Sequence, residues 1–356
     1  MRVVYNSFHG RFSDNPRALY ERLRDLPGTE HVWLLDPAHA AAFPDDVETV
    51  RIDGPQARAA LESADLVVAC THTEIEWRKR HGARYLQTWH GTPLKRVHRD
   101  VLWAPPGRLD WLDRDIARWD VLLSPNPVSS LRLRRAFGFD KEVWETGYPR
   151  NDILSSPDAG AVRVDVRRAL GVPEDATVVL YAPTWRDDEG YGRLPSVPMR
   201  LDLPALVSRL EEGGRPHTVI ARVHNLMTGR LQTPMGPGVV DVSWHPDVRD
   251  LYLAADVLVT DYSSVMFDFA LTGKPMVFYA YDLARYRDEV RGFYFDLLPD
   301  APGPVVGDLD ALAEAVLAVD ADRERYAARY QRFRSTYGIL EDGHATDRVL
   351  ECLGLL

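Results

Sequence analysis

The sequence predicts an α/β fold of two Rossmann-like, doubly wound domains that face each other across a cleft. Three observations carry this. Short apolar runs alternate with longer amphipathic ones along most of the chain, the pattern of βα units around parallel sheets. At 356 residues the chain exceeds what one compact core organises and suffices for two domains of ordinary size. The alternation stalls once, at residues 155–161, where SSPDAGA carries turn residues and no periodicity. The expected domains are therefore 1–158 and 159–356, with the C-terminal helix packing back on the first.

Five strands are expected in the first half: RVVYNS (2–7), HVWLLD (31–36), LVVAC (66–70), RYLQTW (84–89) and WDVLLSPN (119–126). Helical stretches lie between them, from Pro16 to Leu26 and from Gln56 to Ser63. A second series follows Gly171: TVVLYAPTW (177–185), TVIARVH (218–224), GVVDVS (238–243), DVLVTDYSS (256–264) and PMVFYAYD (275–282). Its helices include Leu203 to Glu212 and the acid- and Arg-rich stretch from Leu309 to Tyr337. In doubly wound sheets ligands sit outside the carboxyl ends of the strands, at the points where strand order reverses.

Composition narrows the function. With 45% hydrophobic and 27% charged residues the chain is globular, not disordered. No apolar run approaches the roughly 20 residues that span a bilayer. The opening MRVVYNSFHG lacks the apolar stretch of a signal peptide and reads as a first strand. Two cysteines, Cys70 and Cys352, form no disulfide framework, and no Cys/His cluster has zinc spacing. A reduced, cytoplasmic protein is expected. The net charge of −10 argues against the broad basic face of a nucleic-acid binder, while leaving room for a local basic pocket.

Six segments could carry chemistry. In TDYSSVMFDFALTGKPMVFY (260–279) a strand ends in a polar turn, and a helix is expected from about Ser263 to Thr272, with Gly273 just past its end. Ser263 and Ser264 then stand at a helix N-terminus, either as a phosphate site supported by Asp261 or as simple N-capping serines. In QTWHGTPLKRV (87–97) a strand delivers His90 to a turn with Gly91, Thr92 and Pro93; Lys95 and Arg96 follow as phosphate contacts or as an exposed basic turn. A neutral imidazole in that position can deprotonate an alcohol near neutral pH, although a lone histidine is often structural. In TVIARVHNL, Arg222 and His224 point to one face, because strand residues two apart do. YAPTWRDD (181–188) repeats the logic with Thr184 and Arg186. GYPRNDIL (147–154) reads as a hinge whose Arg150, Asn151 and Asp152 brace the two halves. YDLARYRDEVRGFYFD (281–296) offers Arg285, Arg287 and Arg291 to phosphate or to its own interleaved acids.

No GxxxxGK[ST] loop, no G-x-G-x-x-G after a first strand and no G-x-S-x-G elbow is present. The D-x-D matches at 113–115 and 308–310 follow no clear strand and arise readily among 53 acidic residues. Neither a metal nor a resident cofactor is expected.

Taken together, SFHGRFSDNP, QTWHGTPLK, WDVLLSPNP, GYPRNDIL, YAPTWRDD, TDYSSVMFD and YRDEVRGFYFD resemble the CDP-glycerol glycerophosphotransferase family of teichoic-acid primases and polymerases. They occur in the family's order over nearly the whole chain. The resemblance implies a GT-B architecture with the donor in the cleft. It implies His90 as the base, His224 as a second important histidine, and Ser263 and Ser264 as the grip on the donor phosphates. Thr184, Arg186, Arg222, Arg285 and Arg291 are the further donor candidates; Gly91, Thr92, Lys95, Asn151 and Asp261 would support the site. Paired serines and a histidine bind CMP similarly in some bacterial sialyltransferases. Many polymerases of the family carry a long amino-terminal extension, whereas here SFHGRF comes almost at once, so the chain reads as a catalytic unit alone.

The implied reaction is attack of an acceptor hydroxyl on the polyol-bearing phosphorus of CDP-glycerol, or of another CDP-polyol, with release of CMP. The acceptor, a saccharide or polyol phosphate, is lipid-linked in such a family, so a visit to the cytoplasmic membrane face is expected. Trp103, Trp111 and Trp119, among Arg99, Arg108, Arg114 and Arg118, either mark that contact or are partly buried helix residues. Two rival readings are a nucleotide-sugar glycosyltransferase on the same architecture and a non-catalytic donor-binding protein of the envelope machinery.

Overall fold

Every strand pair in the computed structural model, which describes residues 1–184, 186, 199–223 and 236–356, runs parallel. The first sheet holds β1 (Arg2–Asn6), β2 (Glu30–Leu35), β3 (Thr49–Arg51), β4 (Leu66–Ala69), β5 (Arg84–Gln87), β6 (Val121–Ser124) and β7 (Glu142–Glu145), in the order β3-β2-β1-β4-β5-β6-β7. The second holds β8 (Thr177–Ala182), β9 (His217–Ala221), β10 (Val239–Asp241), β11 (Val257–Thr260), β12 (Met276–Tyr279) and β13 (Val305–Val306), in the order β10-β9-β8-β11-β12-β13. Helices cover both faces, so inner strands are apolar throughout rather than alternating: Val3–Tyr5, Leu66–Ala69 and Val257–Val259 are all buried. Strand order reverses between β1 and β4 in one sheet and between β8 and β11 in the other. The loops leaving those four strands therefore meet in the cleft.

All ten strands expected from sequence are present. The three not anticipated, β3, β7 and β13, are the shortest or most polar and all lie at sheet edges. The stretch from Leu309 to Tyr337 is two helices, Leu309–Leu317 and Arg323–Tyr337. No helix among the described residues is long and apolar enough to cross a membrane.

Two crossings join the halves. The C-terminal helix Ala345–Leu353 places Val349 and Leu350 in the same core as Val3, Tyr5 and Leu19. Its first turn is capped by Asp152, which accepts from the amides of Ala345 and Thr346 at 2.9 and 2.8 Å. On the other side, Lys95 and Phe293 form an antiparallel bridge, flanked by Arg96 N–H to Gly292 O (3.0 Å) and Tyr294 N–H to Leu94 O (2.8 Å). Trp119 is fully buried against His72 and Phe137. It is a core residue and takes no part in any surface contact.

Candidate active site between the two domains

At the carboxyl ends of both sheets lies a cavity of about 170 Å³, lined by Phe8, Arg11, Asp14 and His90 from the first half, by Arg150, and by Arg222, Tyr252, Ser263, Ser264 and Asp268 from the second. A larger hollow of about 470 Å³ sits at the opposite, amino ends of β12 and β13, between the helix Arg323–Tyr337 and the turn Pro302–Pro304. Its lining is mostly apolar and includes none of the expected site residues. Of the expected site residues, His90, Arg222, Ser263 and Ser264 line the smaller cavity.

His90 reaches it because the turn after β5 is forced. Trp89 adopts φ 54°, a left-handed conformation uncommon for a bulky residue. Gln87 Oε1 accepts from the Trp89 amide (2.9 Å), while Asn15 Nδ2 and Thr88 Oγ1 both donate to its carbonyl at 3.0 Å. The next side chain is thereby turned into the cleft. The His90 Nδ1 lies 2.5 Å from the carbonyl oxygen of Cys70. A carbonyl only accepts, so Nδ1 carries the proton and Nε2 keeps its lone pair. The ring packs on Trp89 and Phe8, with centroids 4.2 and 5.2 Å away. Burial pushes its pKa down to about 4; the Cys70 carbonyl opposes this, and the cations Arg150 and Lys95 add to it. At neutral pH the imidazole is unprotonated and able to accept a proton.

Gly91 is required by close approach. A Cβ there would stand 2.7 Å from Ser264 Oγ and 3.0 Å from Ser264 Cβ, so the turn carrying the histidine and the turn carrying the serines touch. Thr92 is buried, its hydroxyl accepting from Asn126 Nδ2 at 3.4 Å. Lys95 forms the backbone bridge to Phe293 already described. Both support the turn from behind.

Across the cavity, the helix expected from Ser263 begins at Val265, runs to Phe269 and continues as a 3-10 turn, Ala270–Thr272, closed by Gly273 at φ 72°. Ser264 occupies the N-cap position yet makes no side-chain capping bond, and Ser263 Oγ meets the Val265 amide only at 3.5 Å. Capping therefore does not account for the pair, whose side chains line the cavity.

Asp261 organises this turn from inside. It accepts from the amides of Thr184 (2.8 Å) and Tyr262 (2.6 Å) and from Arg186 Nη1 (2.9 Å). Arg186 spends three further donors on Asp282, twice at 2.8 Å, and on Thr184 O at 2.7 Å, beneath the rings of Tyr262, Tyr281 and Tyr286. It is 5% exposed and braces loops instead of facing a ligand. Thr184 is likewise buried and outside the cavity lining. Arg291 donates to the Arg96 carbonyl at 2.9 Å, and Arg285 closes the short helix Leu283–Arg285; neither lines the cavity. Arg222 does, anchored by Nη1 to His245 O at 2.8 Å. His224 lies outside the described residues.

Beneath the cavity the hinge reading of GYPRNDIL is realised. Arg150 is clasped by Asp14 of the first half and Asp268 of the second, and Asn151 Nδ2 donates to Asp268 Oδ1 at 3.1 Å. The residue that sequence reasoning passed over is Arg11. It stood within SFHGRF, and the signal that would have found it is positional: it lies in the loop leaving β1, at the first sheet's reversal point.

Two parallel sheets with opposed reversal points and a polar cavity between them make a GT-B-like fold. A family model described as CDP-Glycerol:Poly(glycerophosphate) glycerophosphotransferase matches residues 1–354. The chain belongs to that family. It is 36% identical to the teichoic acid glycerol-phosphate transferase of Staphylococcus aureus over 99% of this chain and 92% of the relative. It is 35% identical to the teichoic acid poly(glycerol phosphate) polymerase of Bacillus subtilis over 98% of this chain and 48% of the relative. Ribitol-phosphate relatives, such as the ribitol-phosphate primase of Bacillus spizizenii (29% identical), match over 66% of the chain. Structures of the wall teichoic acid polymerase TagF, including a histidine-to-asparagine variant soaked with CDPG, superpose with a TM-score of 0.87 at 32% identity, covering 99% of this chain and 88% of that one. A UDP-GlcNAc 2-epimerase from Neisseria meningitidis, 12% identical with a TM-score of 0.56, shares the fold alone.

Proposed function

We propose that this chain transfers glycerol phosphate from CDP-glycerol to a hydroxyl of a lipid-linked acceptor, releasing CMP, in teichoic acid synthesis. One observation carries the reading: a histidine whose tautomer is fixed, leaving the Nε2 lone pair to accept, shares a cavity with Ser263, Ser264 and Arg222. The acceptor oxygen attacks the glycerol-bearing phosphorus as its proton passes to His90 Nε2. The bond from that phosphorus to the bridging oxygen breaks, and the electron pair leaves on CMP. A positioned base of this kind contributes roughly 10² to 10⁴-fold. Arg222 and the serine hydroxyls neutralise charge gathering on the phosphates, while Asp261, Arg186 and Asn151 hold the loops that present them. The fuller span of the glycerol-named relatives supports glycerol over ribitol.

CMP release from CDP-glycerol with a lipid-linked acceptor tests this, with His90→Asn expected to fall by about 10² to 10⁴-fold while keeping its fold. Turnover of a UDP-sugar without turnover of CDP-glycerol would overturn the reading in favour of a glycosyltransferase. Full activity of His90→Asn would remove the histidine from its role.

A lipid-linked acceptor places the working enzyme at the cytoplasmic membrane face. Leu102 and Trp103, 43% and 58% exposed, are the contact we assign there, beside Arg99. Trp103→Ala should weaken binding to anionic phospholipid vesicles severalfold; unchanged binding would count against the assignment.

A further inference from the structure

We propose that Arg11 and Arg222 form a phosphate subsite assembled from both domains, which draws the cleft closed on a diphosphate or phosphodiester. The inference rests on the transferase reading above and adds to it a residue of the first domain that binds phosphate.

The argument begins with which charges at the cavity are already matched. Asp14 and Asp268 share Arg150. Asp247 has Arg249 at 3.5 Å and Arg17 at 3.8 Å. Arg11 and Arg222 line the same cavity, and neither forms an ion pair among the described residues; the carboxylates that act on them, Asp36 on Arg11 and Asp247 on Arg222, do so without direct contact. Arg11 Nε is buried with no hydrogen-bond partner. Arg222 commits Nη1 to two backbone carbonyls, those of His245 and Val242.

The position of Arg11 is fixed by its neighbour. Gly10, at φ 101°, packs so tightly on the next loop that a Cβ would fall 2.2 Å from the Asp36 amide nitrogen. Burial holds the Arg11 pKa down to about 10, and the neighbouring Arg222 cation adds to the effect. Two guanidinium groups sharing a poorly hydrated cavity repel each other, and an anion between them reverses the sign of the interaction. Phosphate oxygens match the guanidinium fork, and a group with two phosphates or a phosphodiester chain is long enough to meet both. Because each domain supplies one arginine, such a ligand ties the domains together.

The phosphate has two possible sources, the donor's diphosphate and a phosphodiester at the acceptor's reactive end. Arg11→Gln and Arg222→Gln separate them. Calorimetric titration with CDP-glycerol and with cytidine, which has no phosphate, reads the donor. KM for a glycerol-phosphate-terminated acceptor, against that for a neutral alcohol acceptor, reads the acceptor. Each variant should lose tenfold or more toward the phosphate ligand of one arm and little toward its uncharged control. The ligand-free melting temperature of Arg11→Gln should hold or rise, because one of two repelling cations is gone, whereas Arg222→Gln also loses its bonds to the His245 and Val242 carbonyls and is read on ligand affinity alone. Binding and KM within twofold of wild type in both arms would overturn the subsite. So would a fall in the ligand-free melting temperature of Arg11→Gln with equal weakening of either variant toward the uncharged controls, which would make the arginines structural. Should the wild-type chain itself neither bind CDP-glycerol nor release CMP, the transferase reading fails, an outcome distinct from either of these.

Discussion

Two groups of arginines stand within one cavity's reach and do opposite work. On the floor, Arg150 lies between Asp14 and Asp268, with all three side chains no more than 4% exposed. At the rim, Arg11 and Arg222 face the same space with no carboxylate in contact among the described residues. The difference is in who supplies the counter-charge. Where a carboxylate touches it, the arginine is a fixed strut between domains; where carboxylates act only from farther off, as Asp36 does on Arg11 and Asp247 on Arg222, the direct contact is the one we propose for a ligand. Arg186, shared by Asp261 and Asp282, falls with Arg150.

The sharpest way to break that contrast is Arg150→Met. Methionine keeps much of the volume and removes the charge, leaving two buried carboxyls facing each other. Loss of one partner from a buried ion pair costs about 3–5 kcal/mol, to be read from urea unfolding at pH 7. Burial already pushes Asp14 up to about 6 against the pull of Arg150. Without the arginine it would take up a proton more readily, so the deficit should shrink as pH falls toward 5. A loss below about 1 kcal/mol would mean that floor and rim are not different in kind.

The same contrast explains how far the sequence could be read. Inner strands announced themselves as apolar runs because parallel sheets bury both faces; Thr49–Arg51, Glu142–Glu145 and Val305–Val306 did not, because edge strands need no such run. His90, Ser263 and Ser264 were legible because each follows an inner strand at its carboxyl end. Which arginine meets the ligand was not. Arg186 is satisfied by Asp282, 96 residues away, and Arg291 by a carbonyl 195 residues away. Local spacing carries no record of such distant partners. Arg11 was missed for the converse reason, since a side chain with no ion pair among the described residues leaves no mark in sequence.

An intermediate effect is expected where the two domains touch. Gly91→Ala places a methyl against both Ser264 Oγ and Ser264 Cβ. The hydroxyl can rotate, but the Cβ moves only with its backbone, so the turns must separate slightly. Overpacking of this sort costs typically 1–3 kcal/mol, and displacement of a catalytic pair by a fraction of an ångström lowers kcat/KM by tenfold or more, up to about 10². The rim subsite is not touched, so affinity for phosphate ligands should change less than turnover. Equal losses in both would show that the serines and the arginines act as one site.

The smallest effect at mildly acidic pH belongs to Glu341, a floor carboxyl without a cation of its own. Its Oε1 accepts from the Tyr148 amide at 3.0 Å, its Oε2 is buried with no hydrogen bond of ordinary geometry among the described residues, and Asn151 and Arg150 pull its pKa down only in part. Burial pushes its pKa up to about 8, with Asp268 adding to the shift. In the unfolded chain it ionises near the ordinary glutamate value. Between those two values the folded state holds the extra proton, so stability falls as pH rises, at up to about 1.4 kcal/mol per pH unit, and the loss levels off above 8. Glu341→Gln mimics the protonated form and should be within about 0.5 kcal/mol of wild type near pH 5. Its melting temperature should then gain on wild type steadily up to pH 8. Parallel curves from pH 5 to 9 would mean that water reaches this carboxylate, and the floor would lose the dryness that sets it apart from the rim.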